Sequence, residues 1–205
     1  MADLPRCRLA TWADVDRWAD RLAGEVRAHE VVPATIVGVT RGGWVPARLL
    51  CDRLGVGRMV SLRARHWGVT ATTTGAAEIT EGLSGPVAGQ TALVVDDITD
   101  TGESLCLAVA HVRGAGAERV ESATFLHIGH SGFRPTYFAE EIPRDAWVWV
   151  VFPWNYWEDV RALAQRAAEQ GDPDVDRVRA TLRASCGLDL PRADLERVAR
   201  FVPIG

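Results

Sequence analysis

Residues 93–104 read LVVDDITDTGES, an apolar triplet running into four acidic residues, two threonines, a glycine and a serine. From Asp100 onward, Thr101, Gly102, Glu103 and Ser104 bring backbone N–H groups, hydroxyls and a close-approach glycine to the start of an expected helix. A phosphate is electrostatically favoured there. Asp96 and Asp97 would repel that phosphate unless they face the vicinal hydroxyls of a ribose or a magnesium ion. A sugar phosphate satisfies both halves. The run is neither a Gly-x-x-x-x-Gly-Lys loop nor a Gly-x-Gly-x-x-Gly turn. The plainer alternative is an acidic strand-to-helix turn capped by Thr101.

Positioning such a run takes a strand before it and a helix after it. TALVVDD supplies the strand, and residues 103–113 a helical pattern closed by Gly114-Ala115-Gly116. Upstream, Thr11-Trp12-Ala13-Asp14 resembles a capping box, and Trp12, Val15, Trp18, Leu22 and Val26 follow at helical spacing. ATIVGVTRGG then reads as a strand ending in glycines, followed by a helix over residues 45–54 with Gly55 after it. Residues 59–65 read as a second strand. Residues 66–90, rich in Thr, Gly, Ala and Glu, lack periodicity and are expected to be a flexible lid. RVESATFLHIG and AWVWVVF give a fourth and a fifth strand. Alternation of short apolar strands with helices predicts an α/β fold, a Rossmann-like, mostly parallel sheet with helices on both faces. In such a sheet ligands bind beyond the carboxyl ends of the strands, where the acidic run lies. Residues 158–205 carry helical patterning broken near Gly171 and Gly187, and read as a helical appendage.

The chain has 205 residues, enough for one substantial domain and an appendage. A formal net charge of −4 gives no general attraction to nucleic acid or to an anionic membrane, so neither is expected as a partner. No apolar run is long enough to span a bilayer and the N-terminus lacks a signal-peptide pattern, so a cytoplasmic protein is expected. Cys7, Cys51, Cys106 and Cys186 are widely spaced and read as reduced thiols rather than zinc ligands or a disulfide framework. All 23 basic residues are arginine. Mechanisms that need a lysine are thereby excluded.

The 93–104 run resembles the phosphoribosyl-diphosphate signature of the type I phosphoribosyltransferases. The segment VTRGGWVPA (39–47) is similar to that family's pyrophosphate loop, in which two glycines let the backbone approach a diphosphate and Arg41 adds charge. The resemblance covers residues 10–157, with 66–90 as catalytic lid, 128–157 as a small base-binding hood and 158–205 as a C-terminal helical extension. It implies transfer of 5-phosphoribosyl to a base nitrogen with release of pyrophosphate. Asp96 and Asp97 would hold the ribose hydroxyls and, through substrate or water, Mg2+. Residues Asp100, Thr101, Gly102, Glu103 and Ser104 would hold the 5-phosphate, and Arg41, Gly42 and Gly43 would face the diphosphate. Arg63 or Arg65, at the end of the second strand, would contact pyrophosphate. The family commonly forms homo-oligomers, dimers or tetramers.

Within the family an aspartate at the position of Asp100 accompanies 6-oxopurine substrates and is proposed as general base at purine N7. EIPRDAW (141–147) and FPW (152–154) look like the corresponding segments of the xanthine-guanine enzymes and their archaeal hypoxanthine-guanine relatives. Trp147 would then stack on the purine, with Trp149 as competitor. Those relatives read the 6-oxygen with a lysine that this chain lacks, so His127, His130 or Arg134 would have to substitute. Where relatives often carry an acid after Pro-Trp, Asn155 stands here. The resemblance thus implies salvage of guanine, hypoxanthine or xanthine. A modified heterocycle as acceptor, or a non-catalytic nucleotide-sensing regulator on the same fold, stay as alternatives.

Overall fold

The computed structural model describes residues 4–29, 32–66, 77–171, 173–202 and 204. In chain order the elements are β1 (Cys7–Leu9), α1 (Trp12–Ala28), β2 (Thr35–Thr40), α2 (Trp44–Leu54), β3 (Met59–His66), β4 (Ala77–Glu81), β5 (Thr91–Thr99), α3 (Glu103–Gly114), β6 (Arg119–Ile128), β7 (Tyr137–Ile142), β8 (Trp149–Val151), α4 (Tyr156–Gln170), α5 (Val175–Thr181) and α6 (Arg192–Val198). They group into two units, Ala13–Trp147 and a second made of Met1–Trp12 with Val148–Gly205.

The first unit holds a six-stranded sheet in the order β4-β3-β2-β5-β6-β7, parallel except for the antiparallel β3–β4 pair. Its central strands are apolar on both faces because helices cover both. Val37, Val39, Val60, Leu62, Val94 and the α3 residues Leu105, Ala108, Val109 and Val112 form one buried cluster. On β2 the alternate position is Gly38, where a Cβ would lie 3.1 Å from the Trp44 ring and 3.2 Å from Ala47 Cβ, so the glycine lets α2 sit close to the strand. Trp18 of α1 meets Phe125 of β6 with ring centroids 5.9 Å apart and donates its indole N–H to Glu140 at 2.9 Å. β2 pairs with β3 on one side and β5 on the other, so the strand order reverses between β2 and β5. That switch point is where an open α/β sheet forms its crevice.

Three features differ from the sequence-based expectation. β7 is the sixth strand, tied to β6 by the Tyr137 hydroxyl, which donates to Glu121 at 2.9 Å. Burial, with that carboxylate, pushes the Tyr137 phenol up to about 12. The expected fifth strand, AWVWVVF, does not join this sheet; its residues Trp149–Val151 pair in parallel with β1. The expected lid is not structureless throughout, because β4 forms within it as an edge strand. Residues 67–76 of that segment lie outside the described residues.

The second unit has its own core. Val151, Val160 and Leu163 pack with Val178, Leu182, Cys186, Leu190, Leu195 and Val198. The Tyr156 hydroxyl donates to Asp194 at 2.5 Å, linking α4 to α6, and Asp174 caps α5 by accepting from the Asp176 and Arg177 amides. Among the described residues no helix is long and apolar enough to cross a membrane. Leu195 is fully buried in this core. Leu195→Ala is expected to cost about 2–5 kcal/mol from lost transfer energy and the residual cavity. Urea unfolding followed by circular dichroism measures it, and a loss below about 1 kcal/mol would contradict the assigned packing.

Candidate functional site

The loops after β2 and β5 meet at the switch point. β5 carries Asp96 and Asp97 at its carboxyl end, and the 41–43 turn after β2 lies directly against them. A Cβ on Gly42 would fall on the Asp97 carboxylate, 2.6 Å from its Cγ, and one on Gly43 would stand 2.7 Å from the Val39 carbonyl and 2.8 Å from Asp96 Cα. A side chain at Gly43 is therefore excluded by fixed backbone, and one at Gly42 would displace the Asp97 carboxylate. The Gly43 N–H donates to Val39 O at 2.8 Å and the Trp44 N–H to Arg41 O at 3.2 Å, which closes the turn and starts α2. The Thr40–Arg41 peptide is cis. Arg41 is exposed at the outer end of the turn.

Two neighbouring carboxylates in this position are electrostatically costly. Burial first, and the Asp97 charge second, push Asp96 well above the ordinary carboxylate range, while the Asp97 and Gly43 amides oppose this only in part. The Asp97 N–H donates to Asp96 Oδ1 at 3.0 Å. Among the described residues no group of three or more His, Cys, Asp or Glu side chains could hold a metal ion. A hard cation at this pair would therefore take most of its oxygens from a bound phosphate compound and water, as magnesium does.

Thr101 and Gly102 follow. Gly102 occupies the N-cap of α3 at φ 86°, and a Cβ there would lie 2.5 Å from Ser131 Oγ and 2.7 Å from Phe133 Cβ. Only glycine suits both the left-handed backbone and the close approach. The Thr101 hydroxyl accepts from the Glu103 N–H at 3.4 Å, and the Gly132 N–H donates to Thr101 O at 3.0 Å. Gly102 itself brings no side-chain cap, so beyond the Glu103 N–H taken by Thr101 the first turn of α3 presents amides next to hydroxyls, which suits an anion.

Asp100 connects this turn to the expected hood. Its Oδ1 accepts from Trp147 Nε1 at 3.2 Å and lies 2.9 Å from His130 Nε2. Trp147 ends the short 3-10 turn Arg144–Ala146 and lies outside β8, so it does not share a strand with Trp149. Trp149 packs against the core of the second unit instead. Trp154 stacks on Phe152, with ring centroids 4.8 Å apart.

The other expected residues stand on neighbouring strands and loops, His127 opposite Thr99 of β5. Arg63 stands opposite Thr40 in the β2–β3 register and is paired with Glu81 of β4 at 2.9 Å. The side chain of Arg65 lies outside the described residues. His127, at the end of β6, is buried with its Nδ1 lacking a hydrogen-bond partner among the described residues, and its ring lies 5.1 Å from that of Phe138. Burial, with the nearby Arg134 charge, lowers its pKa. Arg134 lies over the Phe138 ring at 4.6 Å and reaches Glu141 at 3.3 Å. Sequence reading did not anticipate the contact between His130 and Asp100, because the spacing of 30 residues carries no local signal.

Several known proteins are similar to this chain. The family described as phosphoribosyl transferase domain matches residues 9–165. A stretch of 97 residues, 47% of the chain, is 34% identical to the transcriptional regulator GfcR of Methanoculleus marisnigri, covering 46% of that protein. A stretch of 136 residues, 66% of the chain, is 32% identical to the orotate phosphoribosyltransferase of Pyrobaculum aerophilum, covering 63% of it. The matches thus span less than two thirds of either curated relative. Among solved structures, the purine phosphoribosyltransferase from Pyrococcus horikoshii Ot3 is 28% identical with a TM-score of 0.61, over 72% of this chain and 93% of that one. The xanthine-guanine-hypoxanthine phosphoribosyltransferase of Helicobacter pylori shares the fold at 21% identity and a TM-score of 0.64, over 77% and 98% of the two chains.

Two outcomes test this geometry. Gly43→Ala forces a methyl against fixed backbone and is expected to lower unfolding stability by about 1–3 kcal/mol in urea titrations. An unchanged midpoint would contradict the close approach. Asp96→Asn is expected to raise the melting temperature at pH 8. A carboxyl whose pKa is raised on folding stabilises fully only below its unfolded value, and loses that contribution as pH rises through the folded one. The gain from the amide should therefore shrink as pH falls toward the ordinary carboxylate range, and a variant less stable than the parent at pH 8 would refute the electrostatic account.

Proposed function

This chain belongs to the phosphoribosyl transferase domain family, and from that premise we propose that it transfers 5-phosphoribosyl from phosphoribosyl diphosphate to a purine-type base, releasing pyrophosphate. The observation that carries the purine reading is the convergence of an aromatic side chain and a carboxylate beside the phosphate turn, Trp147 Nε1 to Asp100 Oδ1 at 3.2 Å. A flat base stacked on an indole gains roughly 1–3 kcal/mol, and a carboxylate at its edge can accept the ring proton released as the glycosidic bond forms. The 28% identical purine phosphoribosyltransferase of Pyrococcus horikoshii supports the same reading.

In this reading the amides and hydroxyls of residues 101–104 hold the 5-phosphate, and Asp96 and Asp97 hold the ribose hydroxyls. The 41–43 turn and Arg41 orient the diphosphate. The Asp96–Asp97 pair fits Mg2+ carried by the substrate, and that ion would supply charge neutralisation of the leaving diphosphate. The protein's own contribution is placement of C1′ between base and leaving group, together with electrostatic stabilisation of developing charge. The activity is assigned to residues 10–157, with 128–157 contributing the base contacts, and residues 158–205 are the C-terminal helical extension.

A second reading is favoured by the match to a transcriptional regulator, namely that the chain senses phosphoribosyl diphosphate or a nucleotide without turnover. Pyrophosphate release with magnesium and phosphoribosyl diphosphate, measured separately against guanine, hypoxanthine, xanthine, adenine and orotate, separates the two. Turnover with a 6-oxopurine is the expected outcome. Binding of phosphoribosyl diphosphate with no release for any base would replace it with the sensor, and turnover of orotate alone would overturn the purine assignment. In the active case Asp100→Asn is expected to lower kcat by about 10²–10⁴ with phosphoribosyl-diphosphate affinity retained. Equal loss in both would show that Asp100 is structural. Trp147→Ala is expected to raise the purine KM about tenfold, consistent with lost stacking, and an unchanged KM would remove Trp147 from base binding.

A further inference from the structure

We propose that His130 is the positioning residue for Asp100, its Nε2 engaging one carboxylate oxygen so that the other is aimed at the base. The inference rests on the reading above in which Asp100 receives the purine proton. His130 Nε2 lies 2.9 Å from Asp100 Oδ1, and Trp147 Nε1 donates to that same oxygen at 3.2 Å. Among the described residues Oδ2 accepts no hydrogen bond. The indole donor and the close imidazole nitrogen on one oxygen restrict the carboxylate rotamer and turn the other oxygen, with its lone pairs, toward whatever enters beside the indole.

The loop that carries His130 is held on both sides. The Gly129 N–H donates to Ile142 O at 2.9 Å and the Ser131 N–H to Ile128 O at 2.9 Å, which anchors the loop to β6 and β7. The Gly132 N–H donates to Thr101 O at 3.0 Å, which anchors it to the phosphate turn. Ser131 Oγ donates to Phe133 O at 3.0 Å and closes the next residue. His130 therefore has its backbone fixed relative to Asp100 by hydrogen bonds that do not involve its own side chain.

When the reaction runs, the C1′–N9 bond forms and the bond from C1′ to the diphosphate oxygen breaks, its electron pair leaving with the diphosphate. The proton on purine N7 passes to Asp100 Oδ2. His130 keeps its Nε2 proton throughout and donates to Oδ1, so it moves no atom of the substrate.

Two measurements test this, the first independent of turnover. In ring-nitrogen NMR near neutral pH, the pair predicts His130 predominantly in the Nε2–H tautomer, shifting to a mixture in Asp100→Ala. The same tautomer distribution in both proteins would overturn the pair. In steady-state kinetics His130→Ala is expected to lower kcat about tenfold with both KM values within about twofold. His130→Gln, whose side-chain amide puts a donor near the Nε2 position, is expected to recover at least about half of kcat. Equal loss in the Ala and Gln variants, or a loss confined to KM, would overturn the positioning role. If the parent protein turned over no base at all, the reading under Proposed function would fail, and the tautomer measurement would still decide whether His130 and Asp100 are paired.

Discussion

Two adjacent carboxylates held against a bare backbone turn constrain the rest of the first unit. Asp96 and Asp97 can lie beneath residues 41–43 only because Gly42 and Gly43 have no side chains to fill the gap. The turn can reach them only because β2 and β5 run parallel and adjacent, which delivers both carboxyl ends to one edge of the sheet. Parallel pairing in turn needs helices on both faces, so Gly38 makes room for α2 while Val94 and its neighbours receive α3. Fold and site share one requirement here, since the packing that buries the sheet also presses the turn onto the acids.

That arrangement costs stability and gives a reason for doing so. A buried carboxyl beside a second negative charge is disfavoured in its ionised form, and nothing in the turn fully compensates Asp96. Partners that supply hydroxyl donors or a cation relieve the penalty, so the empty-handed protein is poised to gain from their arrival. The loop after β6 works differently. It is tied by amide hydrogen bonds to β7 and to Thr101, and brings polar side chains to the phosphate turn from across the sheet. One side of the crevice is thus made of charge and the other of directional donors.

The parts of this design that leave local marks were legible in the residues. The strand–acid–glycine–helix order of 91–114, the glycine turn after β2 and the amphipathic α1 each carry a pattern within a single stretch of chain. β7 was missed because YFAEEI mixes two adjacent glutamates into a short strand, and those charges are satisfied by Trp18 and Arg134, which lie far away or across a loop. β8 was placed in the wrong sheet because apolar content says a segment is buried without saying against what; its partner, β1, is three residues long and invisible to periodicity. The meeting of Asp100 with Trp147 was partly foreseen through the roles assigned to each. Its second partner, His130, is set by a loop whose shape depends on long-range amide bonds.

The outer strands of the six-stranded sheet carry a final consequence. β4 presents Glu78 and Glu81, and β7 presents Glu140 and Glu141, so both margins of a sheet with a strongly apolar interior are lined with negative charge. A strand margin otherwise offers unpaired amides and carbonyls to any extended peptide, including another copy of the same strand. Acidic residues at these positions make such edge-to-edge extension electrostatically unfavourable. Three of these four glutamates are also used internally, Glu81 against Arg63, Glu140 against Trp18 and Glu141 against Arg134, so the border of the sheet is tied back to its own interior.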